Sequence, residues 1–427
     1  MLESTTRPLF SNASNASIFA VLSVVACSGG VVEPERDGAL LPDNAAVFAR
    51  ALEADCPTAG APADDGSAPW LQSYDGPEIS GLSASADGDT LLARSGVETL
   101  RLDGEGRELW SKPYGSLVAT DDEGNVYVAG TFEGTLTLDQ RELVAESGRD
   151  VFVVKLDRDG EVLGAAALGS SGGDEALTSL VLDGQGNVIV SAAGWGTIKL
   201  DAGWNVAWRK SFGGSAAVDE QGRVWLTGGL IGSADFAGAT LSSYGGSDVF
   251  VVQLAADGSL LSARNFGDAG ALQRGESIVV ADGTVLVAGT FDGSLDFGAG
   301  ALQWTGCSTD AWCQTFGFVV QLAADGSAIW SKSLGPMRAV AGAAAGPAGR
   351  IALSGALPGG VRPFRQTWLV ELDNAGTELF RRAEWPETGI GAGHGVTFDG
   401  CGRLLWALSV RPSLALEERT YWAKLLP

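Results

Sequence analysis

The chain holds one histidine, His394, in Gly391-Ala-Gly-His-Gly395. An imidazole titrates near neutral pH and can act as a general base. Acyl transfer, however, also needs a nucleophile and an orienting partner beside it. No Ser or Cys nucleophile motif accompanies His394. Zinc takes several His or Cys ligands, and one His with five Cys does not supply them once the Cys roles below are counted. A glycosidase uses two carboxylates that meet in the fold, but nothing selects a pair from the 52 acids. Gly104-Glu-Gly106 and Gly184-Gln-Gly186 lack the third Gly of a dinucleotide fingerprint, and no P-loop is present. Asp157-Arg-Asp-Gly160 begins like a calcium loop but lacks the downstream bidentate Glu. No catalytic residue, metal ligand set or cofactor is therefore expected.

Cysteine chemistry is more informative. Arg7 precedes an apolar run, Ile18-Phe-Ala-Val-Leu-Ser-Val-Val-Ala26, that stops at Cys27. The run is shorter than the ~20 apolar residues of a membrane span. Small Ala26 directly before Cys27 matches a bacterial lipobox, so residues 1–27 read as a lipoprotein signal with Cys27 as lipidation site and mature N-terminus. The position three before Cys27 is Val24, where Leu is commoner, and Glu3 offsets Arg7. Cleavage elsewhere, giving a free secreted protein, is the alternative. Residues 28–69 read as a linker with a short helix around Asn44 to Asp55. Four Cys remain in an oxidising compartment. Cys307 and Cys313 share one loop and are expected to bridge, which leaves Cys56 to pair with Cys401.

The binding candidate is the longest insertion, Gly289 to Phe318, with Trp304, Cys307, Trp312, Cys313 and Phe316. Two Trp beside a disulfide form a stiff apolar patch suited to a protein or a sugar. The other reading packs these aromatics back on the flank of their own unit. Shorter insertions run through Phe132 and Leu138, and through Phe236 and Tyr244.

What positions these residues is a repeat. A polar residue followed by Leu ends an apolar run at Arg101-Leu102, Lys155-Leu156, Lys199-Leu200, Gln253-Leu254, Gln321-Leu322, Glu371-Leu372 and Lys424-Leu425. Short Val-, Phe- and Trp-rich stretches favour strands, and near-continuous apolar runs favour strands covered on both faces. Between them recur turns with Asp first and Gly fourth, such as Asp121-Asp-Glu-Gly124 and Asp373-Asn-Ala-Gly376. Asp caps such a turn and Gly takes the positive φ that ends it. Seven units over residues 70–427 give about 51 residues each, near the ~40–50 of propeller repeats. The last unit lacks its fourth strand at Tyr421-Trp-Ala-Lys-Leu-Leu-Pro427. Trp70-Leu-Gln-Ser-Tyr74 resembles the fourth strands at Trp110, Trp208 and Trp330. The expectation is an all-β, seven-bladed β-propeller of four-stranded antiparallel blades, closed by an N-terminal strand that completes the last blade. A solenoid is the competing fold.

The blocks Gly172-Gly-Asp-Glu-Ala176, Gly186-Asn-Val188, Gly124-Asn-Val-Tyr-Val-Ala-Gly-Thr-Phe132 and Gly289-Thr-Phe-Asp-Gly-Ser-Leu-Asp-Phe297 resemble the bacterial seven-bladed β-propeller repeat family. The resemblance covers about residues 70–427. It implies a propeller in a secreted or surface protein, often a lipoprotein, and brings no common catalytic residues or agreed ligand.

The formal net charge is −24, with 28 Lys and Arg against 52 acids. A nucleic-acid partner needs a basic face, and none is expected here. An anionic membrane would repel the surface, so membrane contact is expected through the lipid alone. The reading is a monomeric, non-enzymatic, lipid-anchored propeller at the bacterial outer membrane or cell surface that binds a protein or glycan. An envelope-assembly scaffold, and a secreted lyase or glycosidase acting at the central channel, are the alternatives.

Overall fold

The computed structural model describes residues 70–75, 79–85, 88–94, 96–104, 106–169, 176–193, 195–269, 272–304, 315–357, 366–384, 389–399, 402–412 and 419–425. The expected helix around Asn44 to Asp55 lies outside them. The fold is an all-β β-propeller. Among the described residues the strands group into seven four-stranded antiparallel sheets and two small hairpins. The inner strands, in order from sheet 1, are Ile79–Ala84, Leu117–Thr120, Ala176–Leu182, Ser215–Val218, Gln273–Ala281, Ala339–Ala345 and Gly389–Phe398. Each packs on the next, and the last packs on the first, so the inner strands form a cycle. Sheet 7 runs Gly389–Phe398, Leu404–Pro412, Arg419–Leu425, with Trp70–Asp75 pairing antiparallel to Arg419–Leu425.

The near-continuous apolar runs follow from this stacking. In the second strand of sheet 5, Val285 and Val287 face Trp225, Val249 and Val251 of sheet 4. The alternate Leu286 and Ala288 face Ile351, Leu353 and Trp368 of sheet 6. Each sheet therefore has two dry faces, and a period-two pattern would bury polar side chains on one of them.

The Asp-x-x-Gly turns form as their chemistry demands. Gly124 has φ of 79°. Asp121 Oδ1 accepts from the backbone N–H of Glu123 at 3.1 Å and of Asn125 at 2.8 Å. Asp157 Oδ1 likewise accepts from Asp159 N and Glu161 N, both at 2.9 Å, which accounts for Asp157-Arg-Asp-Gly160 as a turn.

The polar residue of the polar-Leu phrase is buried at Arg101, Lys199, Gln253, Gln321 and Glu371 and half-buried at Lys155, and at these six phrases it sits beside a β-bulge in the pairing with the outer strand. It reaches sideways. Arg101 bonds Asp89 at 2.8 Å and donates to the carbonyls of Gly124 and Arg158 in sheet 2. Lys199 pairs with Asp183 at 2.8 Å and donates to Ala256 O of sheet 4. Gln253 donates to Ala324 O of sheet 5, and Gln321 to Asn374 Oδ1 of sheet 6.

The recurring Trp strengthens the same seams. The indole N–H of Trp110 donates to Arg158 O at 2.8 Å, that of Trp208 to Ala256 O at 3.1 Å, and that of Trp330 to Asn374 O at 3.0 Å. In each case the ring lies over the positive-φ Gly that ends the neighbouring turn: a Cβ on Gly160, Gly258 or Gly376 would come within 3.2, 2.8 or 3.0 Å of the indole. Between sheets 2 and 3 the two partners are exchanged. Gly164 holds the outer-strand position that pairs with Lys155, as Trp110 pairs with Arg101. Trp204 ends the facing turn at φ 68°, and its Nε1 lies 2.4 Å from where a Gly164 Cβ would be.

Complementarity of this kind makes the pair non-additive. Gly164→Trp alone should lower the thermal midpoint by collision with Trp204. Trp204→Gly alone should lower it by removing a ring that packs on the sheet 3 core. The double exchange should recover part of the loss, with a coupling of about 0.5–3 kcal/mol in a double-mutant cycle. Strict additivity would show that the two sites do not interlock.

Candidate functional site

Of the residues singled out from sequence, Cys27, Cys56, Cys307, Trp312, Cys313 and Cys401 lie outside the described residues. Trp304 and Phe316 are described. Both are half-buried and pack against the core shared by sheets 4 and 5. Trp304 N donates to Gly293 O at 2.8 Å. Phe316 meets Phe291 edge-on at 6.2 Å. These two aromatics therefore hold the insertion to its own blade.

The insertions share this design. The strand Leu302–Gln303 lies beside the outer strand Ala328–Pro336 of sheet 5, and Ala239–Ser242 lies beside the outer strand Leu260–Phe266 of sheet 4. Phe236 joins Phe212 and Phe250 at centroid distances of 4.9 and 5.0 Å, and Phe297 joins Phe266 and Phe318 at 4.8 and 5.2 Å. Asn265 Nδ2 donates to Ser242 O. In sheet 2, the extended hairpin returns to its outer strand through Asp139 Oδ2, which accepts from Val162 N. The insertions thus cover outer edges, which otherwise expose unpaired backbone groups.

In five inner strands one residue bulges out of register: Ser80, Thr178, Glu276, Ala341 and His394. All five oppose the same step of their second strands. His394 is thus placed on an inner strand, at the level of Glu276 two sheets earlier. Glu276 is committed sideways: its carboxylate accepts from Val340 N of sheet 6 at 2.7 Å and from Thr290 Oγ1 at 3.2 Å. Burial pushes its pKa above the usual carboxylate value, against those two hydrogen bonds and nearby Arg274. Thr178 does the equivalent work two seams earlier, donating to Gly214 O of sheet 4 at 2.8 Å.

What stands out on the surface is the seam between sheets 4 and 5. Ile231, Tyr244 and Leu272 are 77%, 66% and 58% exposed. They come from three chain segments. Leu230 pairs with Asp248, Ser247 bridges to Leu272, and Tyr244 N donates to Asp248 Oδ2 at 3.0 Å. The segments therefore converge on Ser247-Asp248. Beneath them lie polar groups. Gln273 Nε2 donates to Asp268 Oδ1 at 3.1 Å and Asp292 O at 3.0 Å, and Asp268 Oδ2 accepts from Ser294 N at 2.7 Å. Burial, with Asp268 nearby, raises the Asp292 pKa. Ile231 and Leu272 carry no signal in the sequence, since each belongs to a short apolar pair, Leu230-Ile231 and Ala271-Leu272. The available signal was the Asp before Val-Phe-Val-Val, shared by Asp150 and Asp248.

No protein-family model matches the sequence, and no curated protein does. Among solved structures the chain is similar to a streptogramin B lyase at 12% identity, over 83% of this chain and 97% of that one, with a TM-score of 0.47. It is similar to BamB from Moraxella catarrhalis at 16% identity, over 82% and 98%, with a TM-score of 0.44. It is also similar to a quinohemoprotein alcohol dehydrogenase from Comamonas testosteroni at 13% identity, over 79% and 65%, with a TM-score of 0.39. At these identities the likeness concerns fold alone. Among the described residues no helix is long and apolar enough to cross a membrane.

The stitch made by Glu276 has a measurable consequence. Glu276→Ala leaves the Val340 N–H without its acceptor and should cost about 1–3 kcal/mol in urea unfolding. An unchanged midpoint would show that water replaces the carboxylate at that seam.

Proposed function

We propose that this chain is a non-enzymatic binding propeller, lipid-anchored through Cys27 at the bacterial outer membrane or cell surface, that docks a protein partner on the seam between sheets 4 and 5. The observation that carries the reading is the meeting of Ile231, Tyr244 and Leu272 on a scaffold whose seams are closely hydrogen-bonded. Single exposed apolar residues are ordinary. Three from separate segments, held at one point, make an anchor of the kind that dominates protein interfaces, where Tyr is enriched. The net charge of −24 favours a partner that surrounds its apolar contact with Lys and Arg, since opposite fields steer encounter. A glycan contact would rely on hydrogen bonding around a stacked ring, and here Tyr244 is the only aromatic of the three.

The ring itself is part of the proposal. The strand Trp70–Asp75 serves as the clasp of a seven-bladed ring, tying the two ends of the chain into one sheet and removing an open edge. Disulfides Cys307–Cys313 and Cys56–Cys401 would stiffen the insertion of sheet 5 and pin the linker of residues 28–69 to the last blade.

Two experiments test this. A photo-crosslinking residue at position 244, in the native envelope, should give a discrete protein adduct that disappears in Ile231→Ser plus Leu272→Ser. The same residue at Leu379, an exposed outer-strand position, should give none. Equal adducts at both positions would remove the docking surface, and adducts only to polysaccharide would transfer the site to a glycan. Separately, intact-mass measurement should find lipid on Cys27, with Cys27→Ser releasing the protein from the membrane fraction. Unlipidated protein in the medium would replace the anchor by simple secretion.

A further inference from the structure

Beneath the Ile231, Tyr244 and Leu272 surface, two acceptor oxygens are left with nothing to accept. Asp248 and Gln273 are both 0% exposed. Asp248 Oδ2 takes hydrogen bonds from Tyr244 N at 3.0 Å and Asn265 Nδ2 at 2.7 Å. Its Oδ1 has no donor, and neither does Gln273 Oε1. The orientation of the Gln273 amide is settled by its other end, because Nε2 faces two acceptors, Asp268 Oδ1 and Asp292 O, and a flipped amide would set oxygen against oxygen.

The two orphan oxygens lie close to one another. A Cβ on Gly267 would fall 2.3 Å from Asp248 Oδ1 and 2.7 Å from Gln273 Oε1. They are therefore no more than about 5 Å apart, within the span of two ligands held at 2.3–2.6 Å by one calcium ion. Buried acceptors without donors are costly and rare. The charge around them is one-sided. Asp248, Asp268 and Asp292 gather on Gln273, and none of the three forms an ion pair among the described residues. A water would supply donors but leave that charge uncompensated. A cation answers both needs.

The geometry points to a hard divalent cation, calcium by its oxygen-only ligands, bound by Asp248 Oδ1 and Gln273 Oε1 at the seam of sheets 4 and 5. No trio of His, Cys, Asp or Glu side chains among the described residues is arranged to hold a metal unaided. The side chains thus supply one carboxylate and one amide oxygen, and the rest of the shell must come from backbone oxygens and from water admitted when the ion binds. Affinity is correspondingly modest, about 10⁻⁴–10⁻³ M, the range of weak extracellular calcium modules. The site goes beyond the proposed docking and does not depend on it, although Gln273 directly follows the exposed Leu272.

The test is calcium titration of the full chain by calorimetry, with the thermal midpoint measured in calcium, in magnesium and in EDTA. Calcium should give saturable heat and raise the midpoint, and magnesium should do neither at equal concentration. Asp248→Asn should abolish both effects. If a water bridges the oxygens instead, Asn would donate to Gln273 Oε1 and leave a stable protein with no calcium response in either form. Gln273→Glu adds a ligand charge. It also sets an oxygen against Asp268 Oδ1 and Asp292 O in place of the Nε2 donor, so it should be less stable than wild type in EDTA, and calcium should recover part of that loss. No heat and no shift in wild type, or a shift unchanged by Asp248→Asn, would overturn the site, as would a failure of calcium to stabilise Gln273→Glu.

Discussion

The structure depends on a sideways hydrogen bond. In a ring of stacked sheets, the strand ladders hold each sheet together but do nothing for its neighbour. The neighbour is held by dry side chains and by a few polar groups that reach across. The indole N–H groups of Trp110, Trp208 and Trp330 donate to carbonyls in the third turn of the next sheet, and the ring of each lies on the glycine that ends that turn. The buried Arg101, Lys199, Gln253 and Gln321 reach the same turns from the third strand. Three seams thus carry a Trp clasp at the outer end, and Thr178 and Glu276 stitch two seams at the inner end.

This arrangement explains several features that look unrelated. The outer-strand bulge beside the polar-Leu phrase displaces one residue per sheet, and Leu109, Leu163, Leu261, Ile329 and Leu379 are left about half exposed there. A bulge also twists an edge strand and spoils it as a template for another chain. The insertions of sheets 2, 4 and 5 protect the outer edge further by folding back along it. The exposed apolar side chains Ile231, Tyr244 and Leu272 lie where segments from two sheets meet.

Much of the fold was legible in the sequence because its signals are local. Turn glycines must have positive φ, and Asp must cap, so the recurring Asp-x-x-Gly phrases announced turns. Apolar runs without alternation announced sheets covered on both faces, which the split of Val285 and Val287 from Leu286 and Ala288 between two cores makes concrete. The Trp of the outer strands was legible as framework through its recurrence, but its partner was not, since that partner lies some 44–48 residues away. Trp204 and Gly164 were illegible for the same reason: an exchanged pair breaks the repeat at both of its positions.

The candidate site divides along the same line. Sequence marked Trp304 and Phe316 as a patch because of their type and their long loop, and the structure turns both toward a core that only folding creates. Ile231, Leu272 and Gln273 carried no motif and Asp248 only the phrase it shares with Asp150, since each is an ordinary residue until the seam assembles it beside the others. By itself the sequence determined the elements: strands, turns, their repetition and the acidic surface, all set by interactions within a few residues. Tertiary structure alone decided which polar groups are satisfied across seams, which aromatics are spent on packing and which side chains converge. Those outcomes depend on residues distant in the chain coming within a hydrogen bond of one another, and local composition does not encode that distance.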